Sequence, residues 1–203
     1  MNEQANNKKR GITPVALLTL TFVLPVVMAV LVYNFESLRP TGMTNHGELV
    51  DPPRPLHFNL QDMQGNAFTQ ENIKGRWTLT VISDGNCGEI CQEQIYLMRQ
   101  VRWSQGDEMN RVQRLLLITK PDSLAGMKDT IDQYPGMFVA TGQESSVKAL
   151  LNEFQHENVQ LDKGDRIYII DPLGNLMMRY APDSNPNGMI KDLKKLLQFS
   201  QFG

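Results

Sequence analysis

The stretch from Pro14 to Phe35, PVALLTLTFVLPVVMAVLVYNF, carries no charged residue, and no other feature of the chain constrains it as strongly. At about 1.5 Å of rise per residue, a helix of this length crosses a hydrocarbon core of about 30 Å. Pro25 is tolerated there as a kink. Lys8, Lys9 and Arg10 precede the stretch and Glu36 follows it. The basic flank is therefore expected to stay cytoplasmic and the remainder to be translocated, with Tyr33 at the far interface. A cleaved signal peptide would need a shorter apolar region, of about 7–15 residues, and small residues at an A-x-A-like site. MAVLVYNFES offers no such site, so an uncleaved anchor is expected.

Four segments follow from this reading: a polar cytoplasmic tail over 1–13, a transmembrane helix over 14–35, a linker over 36–55, and one folded domain over 56–203. The linker, ESLRPTGMTNHGELVDPPRP, has four prolines, two glycines and no apolar periodicity, so it reads as extended chain with a solvated His46. Roughly 150 residues then remain, the usual size of a single domain. With 41% hydrophobic and 21% charged residues that domain can bury an ordinary core. A net charge of -2 gives no electrostatic footprint for nucleic acid; the lipid bilayer is the one partner the sequence itself names.

Within the domain, Leu56, Phe58 and Leu60 alternate with polar residues as in a half-buried strand, and Gln64-Gly65-Asn66 marks a turn. WTLTVIS (77–83) and LLLIT (115–119) are β-branched or apolar runs of buried strands. Residues 89–103 have the spacing of an amphipathic helix, and further helices are expected over 123–133, 143–156 and 187–198. Short strands are expected at 137–140 and 166–171, the latter turning through Pro172-Leu173-Gly174-Asn175 into 176–180. Strands alternating with helices and ending in a hairpin imply an α/β fold with a mixed sheet covered on both faces. Seven methionines of the domain show no clustered spacing and read as core, while Arg99, Arg102, Arg111 and Arg114 read as a solvated helix face or a docking surface.

The only cysteines, Cys87 and Cys91, fall at the junction between strand 77–83 and helix 89–103. A bridge between them closes so small a loop that it would stabilise by only about 2 kcal/mol, which argues for chemistry over stapling. Residues i and i+4 of a regular helix have Cβ atoms about 5–6 Å apart, against about 3.8 Å in a disulfide. Cys87 is therefore expected in the loop ahead of the helix, with Gly88 supplying backbone freedom, where the pair can bridge or pinch one soft metal ion.

The string FNLQDMQGNAFTQENIKGRWTLTVIS, the Cys87-Gly88-Glu89-Ile90-Cys91 spacing and the late hairpin IYIIDPLGNL resemble the SCO/SenC branch of the thioredoxin-like superfamily over residues 56–199. The resemblance implies a thioredoxin-like domain behind a single membrane anchor, a role in building the copper centre of cytochrome c oxidase, and the subunit carrying that centre as partner. It also implies Cu(I) held by Cys87 and Cys91 with a histidine ahead of the Ile-Tyr strand. This chain has Asp162-Lys163-Gly164-Asp165-Arg166 there, so Lys163 stands at the ligand position. Gln92 replaces the family's proline after the second cysteine, and the cis-proline of ordinary thioredoxins is absent beside Lys163.

A protonated lysine cannot coordinate copper but stabilises a nearby thiolate. The expected function is thus thiol–disulfide exchange on the partner's copper-ligand cysteines, with Cys87 attacking and Cys91 resolving. Asp84, Glu89 and Glu93 oppose a thiolate and suit an approaching cation, so Cu(I) delivery stays open, with His57 or His156 as a displaced third ligand. A structural bridge in a non-catalytic docking factor is the third reading. The residues leave open whether the protein is an enzyme. The expected location is a bacterial inner membrane, with the domain in the periplasm.

Overall fold

The computed structural model describes residues 13–35 and 45–200, so residues 1–12 of the expected tail, 36–44 of the expected linker and 201–203 of the expected domain lie outside the described residues. Two compact units result, divided between Thr44 and Asn45.

The first is helix α1, Thr13–Asn34, continuous through Pro25. Leu17, Leu18, Leu20, Phe22 and Val23, which point around the whole circumference, are all exposed, as on a helix made apolar all round for lipid. Its polar groups are satisfied internally: the Thr21 hydroxyl reaches the Leu18 carbonyl at 2.8 Å, and the Asn34 amide donates to Val30 O at 2.8 Å. The window Leu17–Asn34 is long and apolar enough to cross a membrane and fits a single-pass anchor.

The second unit is an eight-stranded mixed sheet: β1 (Glu48–Pro55), β2 (Asn59–Asp62), β3 (Ala67–Thr69), β4 (Trp77–Ser83), β5 (Val112–Ile118), β6 (Met137–Thr141), β7 (Ile167–Ile170) and β8 (Asn175–Tyr180). The order is β1-β8-β7-β4-β5-β6-β2-β3. β4, β5 and β6 run parallel, and every other pairing is antiparallel. β4 and β5 are buried along their whole lengths, because helices cover both faces.

On one face α2 (Glu89–Trp103), α3 (Lys128–Asp132) and α5 (Pro186–Phe199) bury Ile95, Met98, Val101, Ile131, Leu193 and Leu197 against Leu79, Val81, Leu116 and Ile169. On the other, α4 (Glu144–Phe154) buries Val147, Leu150 and Phe154 against Leu115, Leu117, Tyr168 and Ile170. Removing each such side chain from water contributes about 1.5–3 kcal/mol. Met98, Met127, Met178 and Met189 belong to the first core, as their scattered spacing suggested.

Several expectations need correction. Residues 48–55 are not linker: they form edge strand β1 against β8, with a register break between Leu49 and Arg54. An edge strand has one side free of ladder bonds, so Pro52 and Pro53 do not exclude it, and apolar periodicity is weak where one face is solvated. His46 is exposed, as expected, but it is also tethered: its backbone N–H donates to the Asp192 carboxylate at 2.7 Å and its ring Nδ1 lies 3.1 Å from the same group. Arg114 does not belong to a helix face. β5 begins three residues earlier than its apolar run, and the buried Gln113 and Arg114 are carried within it. The helix expected over 123–133 is split into a 3-10 stretch, Pro121–Met127, and the short α3.

Candidate functional site

β4 ends at Ser83, and the chain crosses its own sheet edge through Asp84-Gly85-Asn86 before α2 begins. The Asp84 carboxylate accepts from the Asn86 N–H at 2.9 Å and pairs with Lys120 at 2.9 Å. The hydrogen bond from Lys120, then that from Asn86, hold the Asp84 carboxyl below the ordinary carboxylate range. The charge expected to disfavour a thiolate is thus compensated.

Cys87 lies in the loop and Gly88 is the N-cap of α2, so Cys91 occupies the first helical turn. The two are joined as a disulfide with Cα atoms 5.1 Å apart, inside the normal range because Cys87 is off the helix. Gly88 does not need its conformational freedom: its φ of -70° and ψ of -170° are open to any residue. Gln92, standing in the proline's place, fastens the loop instead, its amide donating to the Cys87 carbonyl at 3.2 Å. Cys91 is 1% exposed, whereas Cys87 is only partly buried against the core. The bridge therefore offers Cys87 to an incoming group and conceals Cys91.

The segment 162–164 docks antiparallel to the end of β4. Asp84 N–H donates to Asp162 O at 2.8 Å, Gly164 N–H donates to Ile82 O at 2.8 Å, and Ser83 faces Lys163 in a single bridge. Gly164 has φ +72°, and a Cβ added there would lie 2.7 Å from both the Cβ and the Sγ of Cys91. Glycine is required at this contact on both counts. Beside it, an open hollow of about 590 Å³ is lined by Asn86, Gly88, Glu89, Ile90, Cys91, Lys163 and Asp165. The exposed Lys163 has no carboxylate oxygen within 4.0 Å among the described residues, so its charge is available to the hollow.

None of the histidines joins the cysteines. His57 pairs with Glu153 at 2.7 Å, and His46 is held by Asp192. His156 stacks edge-on to Tyr168 at 6.3 Å, and Tyr168 packs in the core on the opposite face of the sheet from Cys91. Burial pushes its imidazole below the ordinary value, and the Arg179 and Arg166 charges add to that; the carbonyl of Phe154 opposes it. The expected weak ligand role of His156 is therefore corrected by geometry. No group of three or more His, Cys, Asp or Glu side chains suited to a metal occurs among the described residues. Reduced, the site would offer Cu(I) two sulfurs and an ammonium, a donor set that does not fit a three-coordinate centre.

A cysteine pair at a strand-to-helix junction, faced by a segment paired antiparallel to that strand on a mixed sheet, defines a thioredoxin-like protein. A family model described as a transmembrane-like, thioredoxin-like C-terminal domain matches residues 77–200. The mitochondrial protein SCO2 of Saccharomyces cerevisiae is 23% identical over 158 residues, covering 70% of this chain and 52% of that protein. The SCO2-like protein RC0895 of Rickettsia conorii is 22% identical over 151 residues, covering 68% and 74%. The crystal structure of yeast Sco1 has a TM-score of 0.63 at 21% identity, covering 74% of this chain and 98% of that one. Yeast Sco1 with copper bound has a TM-score of 0.59 at 20% identity, covering 73% and 93%. The chain belongs to the transmembrane-like, thioredoxin-like family, and the curated relatives it resembles are SCO proteins. It spans about half the length of yeast SCO2.

Proposed function

We propose that the protein is a membrane-anchored thiol–disulfide exchange factor that keeps the copper-ligand cysteines of a cytochrome c oxidase subunit reduced. The observation that carries this reading is Lys163. The segment whose Gly164 rests on the Cys91 sulfur presents a cation to the hollow beside it, where a soft metal would need a donor. In the proposed reaction the reduced Cys87 thiolate attacks one sulfur of the partner's disulfide, and that S–S bond breaks to release one thiol. Cys91 then attacks Cys87, releasing the second thiol and forming the Cys87–Cys91 bond. Two electrons pass to the partner, and an external dithiol restores the pair.

The exposure difference supports Cys87 as the attacking sulfur. The basic residues ahead of α1 support an orientation with the domain in the periplasm of a bacterial inner membrane. The oxidase partner is carried over from the SCO proteins.

Cys91→Ser in the reduced protein should trap a mixed disulfide at Cys87, since the resolving sulfur is gone. Cys87→Ser should react with an aromatic disulfide reagent at least ~10-fold more slowly than Cys91→Ser, because Cys91 is concealed. Equal rates would remove the assigned roles. Unimpaired oxidase assembly in a strain carrying both changes would leave only a docking function. Delivery of Cu(I) as cargo is the second reading, favoured by the copper-bound yeast Sco1 that shares this fold.

A further inference from the structure

Arg99, Arg102 and Arg114 converge where the C-terminal half of α2 crosses β5. Arg114 is 4% exposed; its Nη2 donates to the Pro135 carbonyl at 2.8 Å, while its Nε and Nη1 are buried and donate to nothing. Arg102 lies over the start of the same strand, its Nε donating to Val112 O at 2.7 Å. The Arg99 guanidinium carbon sits 5.0 Å from the Tyr134 ring, next to Pro135, and 5.2 and 5.0 Å from the rings of Tyr96 and Trp103. Its Nε is also buried without a partner. Among the described residues none of the three has a carboxylate oxygen within 4.0 Å.

Three positive charges therefore meet with no counter-charge within 4.0 Å among the described residues, and one of them is almost wholly removed from water. An arginine cannot relieve this by losing its proton, and an unpaired buried charge is strongly unfavourable. The aromatic faces around Arg99 offset only part of it. Burial, and then the charges of Arg102 and Arg99, push the Arg114 guanidinium below its ordinary value, as an uncompensated cluster should.

We propose that this cluster is an anion site for a phosphate group, held by Arg99 and Arg102 at the surface with Arg114 behind them and roofed by Tyr96 and Trp103. Planar guanidinium forks pair bidentately with phosphate oxygens. A phosphate offers several oxygens to three forks and, as a monoester or free ion, carries nearly two negative charges near neutral pH, more than one carboxylate supplies. The phosphodiester of an anionic lipid headgroup offers the same kind of oxygens to the guanidinium forks, with a single negative charge.

The test uses the full chain in lipid nanodiscs and the fluorescence of Trp103, which is 54% exposed against the Arg99 guanidinium; Trp77, 4% exposed, gives a constant background. Inorganic phosphate, acetate and chloride are titrated at constant ionic strength in discs of phosphatidylcholine and in discs containing phosphatidylglycerol. A saturable change with phosphate in phosphatidylcholine discs is expected, weakened at least ~10-fold in Arg99→Gln, Arg102→Gln. If the same change persists in the anionic discs, free phosphate is the ligand; if it is lost there, the headgroup already fills the site. An equal response to acetate or chloride, an unaltered response in the double variant, or no response in either disc would overturn the proposal.

Discussion

Gly164→Ala is expected to destabilise the folded domain by about 3 kcal/mol and to slow closure of the Cys87–Cys91 pair. Two causes add. The backbone at φ +72° is left-handed, which costs a residue with a Cβ about 1–2 kcal/mol. The new methyl would also lie 2.7 Å from the Cys91 Sγ, a group that is buried and bonded and cannot rotate aside, so overpacking costs a further 1–3 kcal/mol or about that. Gly75→Ala separates the causes. Its φ is +80° but nothing lies within 4 Å of the added Cβ, so only the conformational part, about 1 kcal/mol, should appear. Chemical unfolding followed at the buried Trp77 reads both changes. Equal losses in the two variants would mean that the segment at 162–164 does not press on the cysteine as described.

Asp192→Ala is expected to be comparably damaging, at about 3 kcal/mol, because one carboxylate ties the start of the domain to α5. Its Oδ2 accepts from His46 N–H at 2.7 Å, Gly47 N–H at 2.9 Å and the Tyr180 hydroxyl at 3.0 Å. Burial alone would raise the Asp192 carboxyl; the Gly47 N–H, the His46 ring and N–H and the Tyr180 hydroxyl outweigh it and hold the group below the ordinary carboxylate range. A carboxyl lowered on folding stabilises fully above its unfolded value, about 4, and loses that stabilisation as pH falls through its folded value. The wild type should therefore weaken below about pH 4 more steeply than Asp192→Asn does. Parallel acid profiles for the two would show that the clamp carries no net stabilisation.

The elements that the sequence announces best are those buried on both faces or amphipathic over many turns. WTLTVIS and residues 89–103 coincide with β4 and α2, since an unbroken apolar run and a repeating face each leave one arrangement for burial. β1 was illegible for the opposite reason. Its prolines mimic a linker, and what recruits residues 46–55 to the domain is a carboxylate nearly 150 positions away together with the rim of β8. Arg114 was misread because a charged residue in a buried strand breaks the apolar pattern that marks strands.

At the site, spacing alone placed Cys87 ahead of the helix and the resemblance placed Lys163 near it, and the docked segment 162–164 does bring Lys163 to the hollow lined by Cys91. The role of Gly164 could not be read from the sequence, because its reason is the proximity of a sulfur that is seventy-odd positions earlier in the chain. Nor could the isolation of His156: its partner Tyr168 faces away from the cysteines, and only the sheet's two-sidedness shows that.

The measurement that bears most directly on the proposed thiol chemistry is an anaerobic titration of the reduced full chain in nanodiscs with Cu(I) against a competing chelator, beside Cys87→Ser, Cys91→Ser and beside Lys163→His. The account predicts that the wild type takes no more copper than the doubly substituted control, and that Lys163→His, which adds a third donor to the two sulfurs, gains affinity at least ~10-fold. Tight one-to-one binding by the wild type, lost in the double variant, would contradict it and make copper the cargo of this pair despite Lys163.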